Sequence, residues 1–573
     1  MKFRFLLFTI IMITLAMGCC GMSRSAKDKS LSKEGLPLSR MNYDRISSAA
    51  PMQEMGSANY MEDSIGPSSG GTDIPNGKAY DLTFFENYGV NPFIATEDEN
   101  FSTFGMDVDT ASYTIVRRYI QDGNFPDKDS VRTEEFINYF DQKYPDSDEV
   151  FSIITEGADS RFGKPNYHLL KIGIKTSEIT QDQRKPANMV FVVDVSGSMQ
   201  REDRLEQVKK SMRSLAECLK EGDEIGLVVY GSTGRVISEL TSNRSKIFGA
   251  IDQLVPSGST NAEQGLNLAY KMMNKHFDSK KINRIILCSD GVANVGTTDA
   301  EKFLKSIKQE AEKGITLTCL GFGMGNYNDV FLEKLANHGD GNYYYIDSPA
   351  ESDRVFGKGA TSMLQVLASD AKIQVEFNPE TVDRYRLLGY ENRRLNKEDF
   401  EDDTIDAGEV GVGQTVTALY EMRIKDNALN SPESSIGTVR IRYMNLDTKK
   451  IETNEKTVSV QDMARDFDTA SPRFRFCASV AEFAEILKKS YWAKDGSLDD
   501  VLTVAQKAYM DSDLAPISRI TDEMEFMQLV EKAKKLQSGE PEINPNGVID
   551  DDVQSDAGES DVETVPDEPV GIK

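Results

Sequence analysis

Short apolar runs alternate with amphipathic stretches between residues 186 and 369. The apolar runs have the length of buried strands and read MVFVVD, IGLVVYG, RIILCSD, ITLTCLGFG and NYYYID. The stretches between them repeat apolar residues at helical spacing, and they run from Leu205 to Leu219, Ala262 to His276, Ala300 to Lys313 and Val330 to Ala336. Near-continuous apolar strands that alternate with helices are typical of a mostly parallel sheet covered by helices on both faces. This block is therefore predicted to be a doubly wound α/β domain.

The residues on either side of this block follow a different period. Apolar and polar residues alternate in HLLKIGIK before it and in AKIQVEFNP, QTVTALYEMRI, GTVRIRYMNL and KTVSVQD after it. Period-two alternation predicts half-exposed antiparallel strands in residues 151–185 and 370–465. Because these segments lie before and after the α/β block, we expect the block to be inserted between two parts of a β-sandwich-like region.

Two further segments have helical character. In residues 81–150, Phe136, Ile137 and Phe140 lie on one face of VRTEEFINYFDQKY, so this region is predicted to contain a helix. Residues 470–537 are predicted to form a C-terminal helical domain.

The two ends of the chain have no sustained period. Residues 19–80 are rich in Ser, Gly, Met and Asn, which favours a flexible tether. Residues 538–573 are dense in Asp and Glu and are predicted to be an acidic, disordered tail.

The first twenty residues resemble an export signal. A basic start precedes an apolar run from Phe5 to Met17, which is too short to span a bilayer but suits a signal-peptide core. Gly18 before Cys19 resembles a bacterial lipobox, which implies removal of residues 1–18 and lipidation of Cys19. We therefore expect an exported protein of the cell envelope that is lipid-anchored to a bacterial membrane, the outer one in a Gram-negative organism. Secretion without an anchor is the alternative.

Composition narrows the range of partners. The chain has 573 residues and a formal net charge of −27, and 39% of its residues are hydrophobic. That length favours several domains, and the apolar fraction is sufficient for folded cores. Nucleic acid is not an expected partner, because binding to it depends on Lys and Arg displacing counterions from phosphates.

Polar side chains occur where the predicted strands of the α/β block end. A carboxylate and two hydroxyls follow the first strand, a second carboxylate ends RIILCSD, and a threonine lies in the turn before the helix that starts near residue 261. Loops at the carboxyl ends of parallel strands meet at one edge of the sheet. We therefore expect five side chains to converge there: Asp194, Ser196, Ser198, Thr260 and Asp290.

All five side chains offer oxygen and none offers sulfur or imidazole. Hard oxygen donors select Mg²⁺, Mn²⁺ or Ca²⁺ over zinc or copper, and a compact set of hydroxyls fits Mg²⁺ better than the larger Ca²⁺. Two carboxylates balance the charge of one divalent ion. Five side chains, some of them acting through water, leave one coordination position open, where a carboxylate from a protein partner could bind.

These five residues match, in order and spacing, the metal-ion-dependent adhesion site of von Willebrand factor type A (VWA) domains. The segments GDEIGLVVYGS, GSTNAEQGLNLAY and LCSDGVANVG are similar to the flanking segments of that family. The resemblance implies a Rossmann-like VWA fold for residues 186–369. It also implies that Ser196, Ser198 and Thr260 contact the metal directly, while Asp194 and Asp290 act through water or by accepting hydrogen bonds from those hydroxyls.

The resemblance extends beyond the α/β block. The segments STFGMDVDTASYTIVRRYI, VRTEEFINYF and FCASVAEFAEILKKSY are similar to those that flank the VWA domain in a family of bacterial lipoproteins. Most of residues 91–536 are covered in this way. The flanking segments of that family bring no catalytic residues.

Three functions are compatible with these observations. The first is adhesion or protein–protein interaction at the cell envelope, through a divalent cation that binds an acidic side chain of a partner. The second is a structural envelope scaffold whose metal site is used internally or recognises nothing. The third is a metal-dependent hydrolase. Ser196 and Ser198 have no histidine nearby in sequence and no Gly-x-Ser-x-Gly motif, so no catalytic residue is assigned and an enzyme is not expected.

Overall fold

The computed structural model describes residues 83–539, except residues 107, 147–148, 164, 292–299, 325–326, 406, 465 and 513–520. The predicted signal peptide, Cys19, the predicted tether and residues 540–573 of the predicted tail lie outside the described residues. Within the described part, no helix combines the length and the hydropathy that a membrane span requires.

The strands, numbered in chain order, are β1 (Thr83–Phe84), β2 (Ile94–Ala95), β3 (Phe101–Gly105), β4 (Phe151–Asp159), β5 (His168–Thr176), β6 (Ala187–Asp194), β7 (Glu224–Tyr230), β8 (Arg235–Thr241), β9 (Ile282–Ser289), β10 (Ile315–Phe322), β11 (Tyr327–Asn328), β12 (Tyr343–Ile346), β13 (Val366–Phe377), β14 (Val382–Leu388), β15 (Arg394–Leu395), β16 (Gly408–Gly411), β17 (Thr415–Ile424), β18 (Ser435–Asn445) and β19 (Lys450–Ser459).

The α-helices are α1 (Ala111–Gln121), α2 (Thr133–Tyr139), α3 (Arg204–Glu217), α4 (Arg244–Asp252), α5 (Ala262–His276), α6 (Ala300–Ala311), α7 (Asp329–His338), α8 (Pro349–Asp353), α9 (Ala360–Leu364), α10 (Asp426–Leu429), α11 (Pro472–Leu487), α12 (Leu498–Met510) and α13 (Asp522–Ser538).

A six-stranded sheet in the order β12-β10-β9-β6-β7-β8 forms the centre of the α/β block. Strand β6 pairs in parallel with both β9 and β7, so its carboxyl end lies in the middle of the sheet edge. Alternate residues of β6 point to opposite faces: Val190 and Val192 pack in one apolar cluster with residues of α5, α6 and α7, while Met189 and Phe191 pack in another with residues of α3 and α4. Helices on both faces of a mostly parallel sheet confirm the predicted doubly wound fold.

The edge strand β8 and the helix α4 are not among the predicted elements. Strand β8 pairs antiparallel with β7, and every one of its residues is at least partly exposed. A strand at a solvent-exposed edge needs no continuous apolar run, which is why the sequence pattern does not indicate it.

Two antiparallel sheets form the β region. One has the order β15-β3-β13-β18-β19 with β16 paired to β13, and the other has the order β2-β14-β17-β5-β4. A single buried apolar cluster contains residues from both sheets, among them Ile172 of β5, Tyr420 of β17 and Ile441 of β18. Strands β4 and β5 precede the α/β block and β13 to β19 follow it, so the α/β block is inserted into a β-sandwich, as the sequence predicts.

The residues before β4 contribute to several layers. Strand β3 lies within the sandwich between β15 and β13, while β1 pairs with β11 of the α/β block. Helices α1 and α2 share an apolar cluster with α11, α12 and α13, in which Phe140 contacts the rings of Phe476 and Phe526. The helical layer therefore combines segments from both ends of the described chain.

Candidate functional site

The first loop of the site follows β6 at the carboxyl edge of the central sheet. Asp194, the last residue of β6, is fully buried. Its Oδ1 accepts a hydrogen bond from the backbone N–H of Ser196, with an N–O distance of 2.7 Å. This hydrogen bond turns the chain sharply, and a 3₁₀ turn over Gly197–Asp203 then leads into α3. The turn holds the Oγ atoms of Ser196 and Ser198 3.0 Å apart.

The second loop carries Thr260 and is joined to the first by two backbone hydrogen bonds. Gly197 N–H donates to the carbonyl of Gly258 at 3.1 Å, and Ser257 N–H donates to the carbonyl of Val195 at 2.5 Å. Thr260 is partly exposed and lies two residues before α5. The predicted threonine is thus on a loop that contacts the serine loop, although no hydrogen bond of its own side chain is among the contacts described.

Asp290 directly follows β9, the strand that pairs with β6. Its side chain is fully buried, and its Oδ2 accepts a hydrogen bond from Nη1 of Arg204 at 3.0 Å. Gly291 comes next with φ of +94°, and a Cβ there would lie 2.5 Å from the ring of Tyr327. Only glycine meets both requirements of this strand exit.

Among the described residues, each of the two carboxylates has one oxygen that accepts a hydrogen bond and one that does not. Oδ2 of Asp194 and Oδ1 of Asp290 are both buried and have no hydrogen-bond partner within the described residues. The pKa of Asp194 is raised to about 7, mainly because the side chain is buried and also because of the negative charge of Asp290. Buried polar atoms without a partner are costly and uncommon, and a bound cation together with its water ligands would satisfy both oxygens at once.

The chemistry of the donors fits a hard cation. In the described part of the chain, no group of three or more His, Cys, Asp or Glu side chains could hold a metal ion. A cation at this edge of the sheet would therefore depend on the hydroxyls beside the two carboxylates, which is an all-oxygen donor set suited to Mg²⁺.

Arg204 is a charged contact of the site that the sequence analysis did not predict. It is the first residue of α3, and its side chain is almost completely buried. A signal was present, because Arg204 lies four and eight residues before Val208 and Met212 and so belongs to the apolar face of the helix. A charged residue in register with an apolar face indicates a buried ion pair.

The central sheet and the loops at its edge define a VWA-domain protein, and comparison with family models agrees. Residues 189–292 match the model described as von Willebrand factor type A domain, and residues 80–171 match the model described as von Willebrand factor. Residues 362–536 match the model described as Uncharacterized protein YfbK, C-terminal.

The relative named Uncharacterized protein YfbK, from Escherichia coli (strain K12), is 33% identical over 445 residues, which is 74% of this chain and 77% of that protein. The chain belongs to the YfbK family of VWA-domain proteins.

One further relative and two solved structures are similar to the chain at lower identity. Inter-alpha-trypsin inhibitor heavy chain H3 of Homo sapiens is 31% identical over 178 residues, which is 29% of this chain and 20% of that protein. A solved structure titled von Willebrand factor type A from Catenulispora acidiphila has a TM-score of 0.41 at 14% identity, covering 69% of this chain and 98% of that one. The ArnB paralog VWA2 from Sulfolobus acidocaldarius has a TM-score of 0.33 at 15% identity, covering 68% of this chain and 98% of that one.

Proposed function

We propose that this protein binds a divalent cation, Mg²⁺ before Mn²⁺ or Ca²⁺, and uses it to hold an acidic side chain of a protein partner at the cell envelope. The cation would be held by the five side chains predicted from sequence. Ser196, Ser198 and Thr260 would contact it directly, while Asp194 and Asp290 would act through water or by accepting hydrogen bonds from those hydroxyls. The observation that carries the proposal is a pair of buried carboxylate oxygens, one at each of two adjacent strand ends, for which the described residues provide no hydrogen-bond partner.

The donor chemistry explains why a cation at this site would recognise a carboxylate. Serine and threonine hydroxyls are neutral, so an ion that they ligate directly keeps much of its positive charge. An anionic oxygen from outside then binds more strongly than a neutral one. A site in which both aspartates contacted the ion directly would be closer to neutral and would attract a partner carboxylate less.

The cation can be tested with Mn²⁺, which is spectroscopically visible and prefers similar oxygen ligands. We expect the full-length chain in detergent to bind one Mn²⁺ by isothermal titration calorimetry and electron paramagnetic resonance, with competition by Mg²⁺. Asp194→Ala should weaken binding at least 100-fold, because one of the two charges of the site is lost. Asp223→Ala is the matched control, since Asp223 is equally buried but pairs with Arg184 at the opposite end of the sheet.

The partner can be sought in envelope extracts by capture with Mg²⁺ or with EDTA. A partner that needs both Mg²⁺ and Asp194 supports recognition through the cation. A partner retained equally by wild type and by Asp194→Ala, with or without EDTA, would instead favour a metal-independent structural scaffold.

Membrane attachment is a separate part of the proposal. It is supported by the apolar run from Phe5 to Met17 and by the Gly18-Cys19 pair, both outside the described residues. We expect metabolic labelling with a fatty acid to mark the wild-type chain and Cys20→Ala but not Cys19→Ala. Labelling of Cys19→Ala at the wild-type level would place the lipid elsewhere.

A further inference from the structure

Arg204 is among the largest fully buried side chains of the described residues. A guanidinium is always charged, and taking it out of water is costly unless it finds counter-charges and acceptors. A buried arginine at the start of a helix beside a candidate cation site therefore needs a structural or functional reason. Its contacts give that reason.

The guanidinium is held between two loops. Its Nη1 donates to Oδ2 of Asp290 at 3.0 Å, and its Nη2 donates to the carbonyl of Met324, in the loop after β10. Gly323 makes room for it: a Cβ at that position would lie 2.1 Å from Nε of Arg204, and the backbone there has φ of +74°. The two contacts and the close approach of Gly323 fix the direction of the guanidinium.

The hydrogen bond from Arg204 also fixes the orientation of the Asp290 carboxylate. One carboxylate oxygen of Asp290 is held by Arg204, while the other is buried and has no partner in the part of the chain that the structure describes. A carboxylate rotates about its last side-chain bond, so anchoring one oxygen determines where the other one points. No other side chain is seen to donate to Asp290 within the described residues.

We propose that Arg204 is a positioning residue of the cation site, which acts by orienting Asp290. The inference rests on the proposed cation site, because it assigns a role to a residue beside that site. Metal ligands in proteins are commonly oriented by a second set of hydrogen bonds, and loss of such a bond weakens metal binding about 10–100-fold. Electrostatics alone would act in the opposite direction, because the positive charge of Arg204 repels a cation.

The test is the Mn²⁺ affinity of Arg204→Met in the full-length chain. We expect the dissociation constant to rise at least tenfold. The matched control is Arg184→Met, because Arg184 and Asp223 form a buried pair with an N–O distance of 2.6 Å at the other end of the same sheet. Both variants lose a buried ion pair and should be less stable, but Arg184→Met should bind Mn²⁺ within twofold of wild type.

Two further measurements distinguish an effect on the orientation of Asp290 from a general loss of stability. In an Asp290→Asn background, Arg204→Met should weaken Mn²⁺ binding by less than twofold, because the group through which it acts has already been changed. Arg204→Lys keeps the positive charge but not the two-pronged donor geometry, so its affinity should fall between those of wild type and Arg204→Met. This variant also serves as the test if Arg204→Met does not fold.

The outcomes distinguish this inference from the proposal on which it rests. Failure of the wild-type chain to bind Mn²⁺ would overturn the cation site itself. Wild-type binding together with unchanged or tighter binding by folded Arg204→Met or Arg204→Lys would leave the cation site standing and show that Arg204 does not position Asp290. Full additivity with Asp290→Asn would also contradict the inference.

Discussion

At the scale of single residues, the described part of the chain buries several carboxyl groups, and their surroundings give them different roles. Glu485 is held by Arg386, whose positive charge lowers its pKa against the effect of burial. Glu482 lies one helical turn earlier in α11, and its Oε1 atom has no hydrogen-bond partner among the residues that the structure describes. The pKa of Glu482 is raised to about 8, mainly because the side chain is buried and also because of the negative charges of Glu485 and Glu421. The folded protein therefore favours the protonated form of Glu482 at neutral pH.

This difference predicts how stability depends on pH. Between pH 4.5, the ordinary pKa of this side chain, and pH about 8, the folded state keeps the proton of Glu482 while the unfolded state has released it. The contribution of Glu482 to stability therefore falls as the pH rises through this range. We expect Glu482→Gln to raise the free energy of unfolding by about 2–4 kcal/mol at pH 8 and by little at pH 4.5, measured by urea denaturation.

Glu485→Gln is the control for that prediction. It removes the carboxylate that pairs with buried Arg386, so it should lower stability at pH 8 by about 3–5 kcal/mol. A Glu482→Gln variant that is less stable than wild type at pH 8 would show that the ionised carboxylate is favourable in the fold.

At the scale of elements, the positions of the site loops depend on how each strand of the central sheet ends. Strand β9 ends at Ser289, and the chain leaves the sheet through Asp290 and Gly291. The missing Cβ of Gly291 allows the backbone of Asn328 and the ring of Tyr327 to approach. Strand β11, which contains both of those residues, also pairs with β1. A single glycine thus allows three segments to meet beside the candidate cation site.

Gly291→Ala is expected to destabilise the protein by about 1–3 kcal/mol, because it combines a positive φ with a steric clash. Gly249→Ala is the matched control, since Gly249 lies in α4 with no heavy atom within 4 Å of an added Cβ. That change should stabilise the protein by about 0.5–1 kcal/mol through helix propensity alone. Thermal unfolding measures both, and equal melting temperatures for the two variants would contradict the packing described for Gly291.

At the scale of the whole described chain, buried ion pairs join layers that are distant in sequence. Arg117 of α1 makes two hydrogen bonds of 2.7 Å to Asp347, just after β12, and one of 3.1 Å to Glu351 of α8. It also lies 3.4 Å from Glu525 of α13. One side chain therefore connects the N-terminal segment to the α/β block and to the C-terminal helices.

Arg117→Met should lower the free energy of unfolding by about 3–5 kcal/mol, because it leaves buried Asp347 and Glu351 short of a counter-charge. Arg118→Met, at the next position of the same helix, is the matched control. Arg118 pairs with Asp122 one turn later on a partly exposed surface, and such pairs contribute less than about 1 kcal/mol. Chemical denaturation of both variants tests the comparison, and a loss below 1 kcal/mol for Arg117→Met would mean that this cluster does not hold the layers together.

Much of the architecture, and the proximity of the loops that carry the candidate site residues, could be predicted because both depend on local order along the chain. The alternation of apolar runs and helical stretches predicts the doubly wound sheet, and predicted and observed α5 have the same bounds, Ala262–His276. Parallel strands place their carboxyl ends together, so the convergence of the Asp194 and Asp290 loops follows from strand order.

Tertiary structure alone decided the contacts that join distant residues. Arg204 and Asp290 are 86 positions apart, and Arg117 and Asp347 are 230 positions apart. No periodicity links such pairs, because each forms only when separate elements pack and exclude water. The order of residues along the chain is enough to place Asp194 and Asp290 at the edge of the sheet, because they follow adjacent parallel strands. Only the packing of separate elements determines which of their oxygens already accept a hydrogen bond.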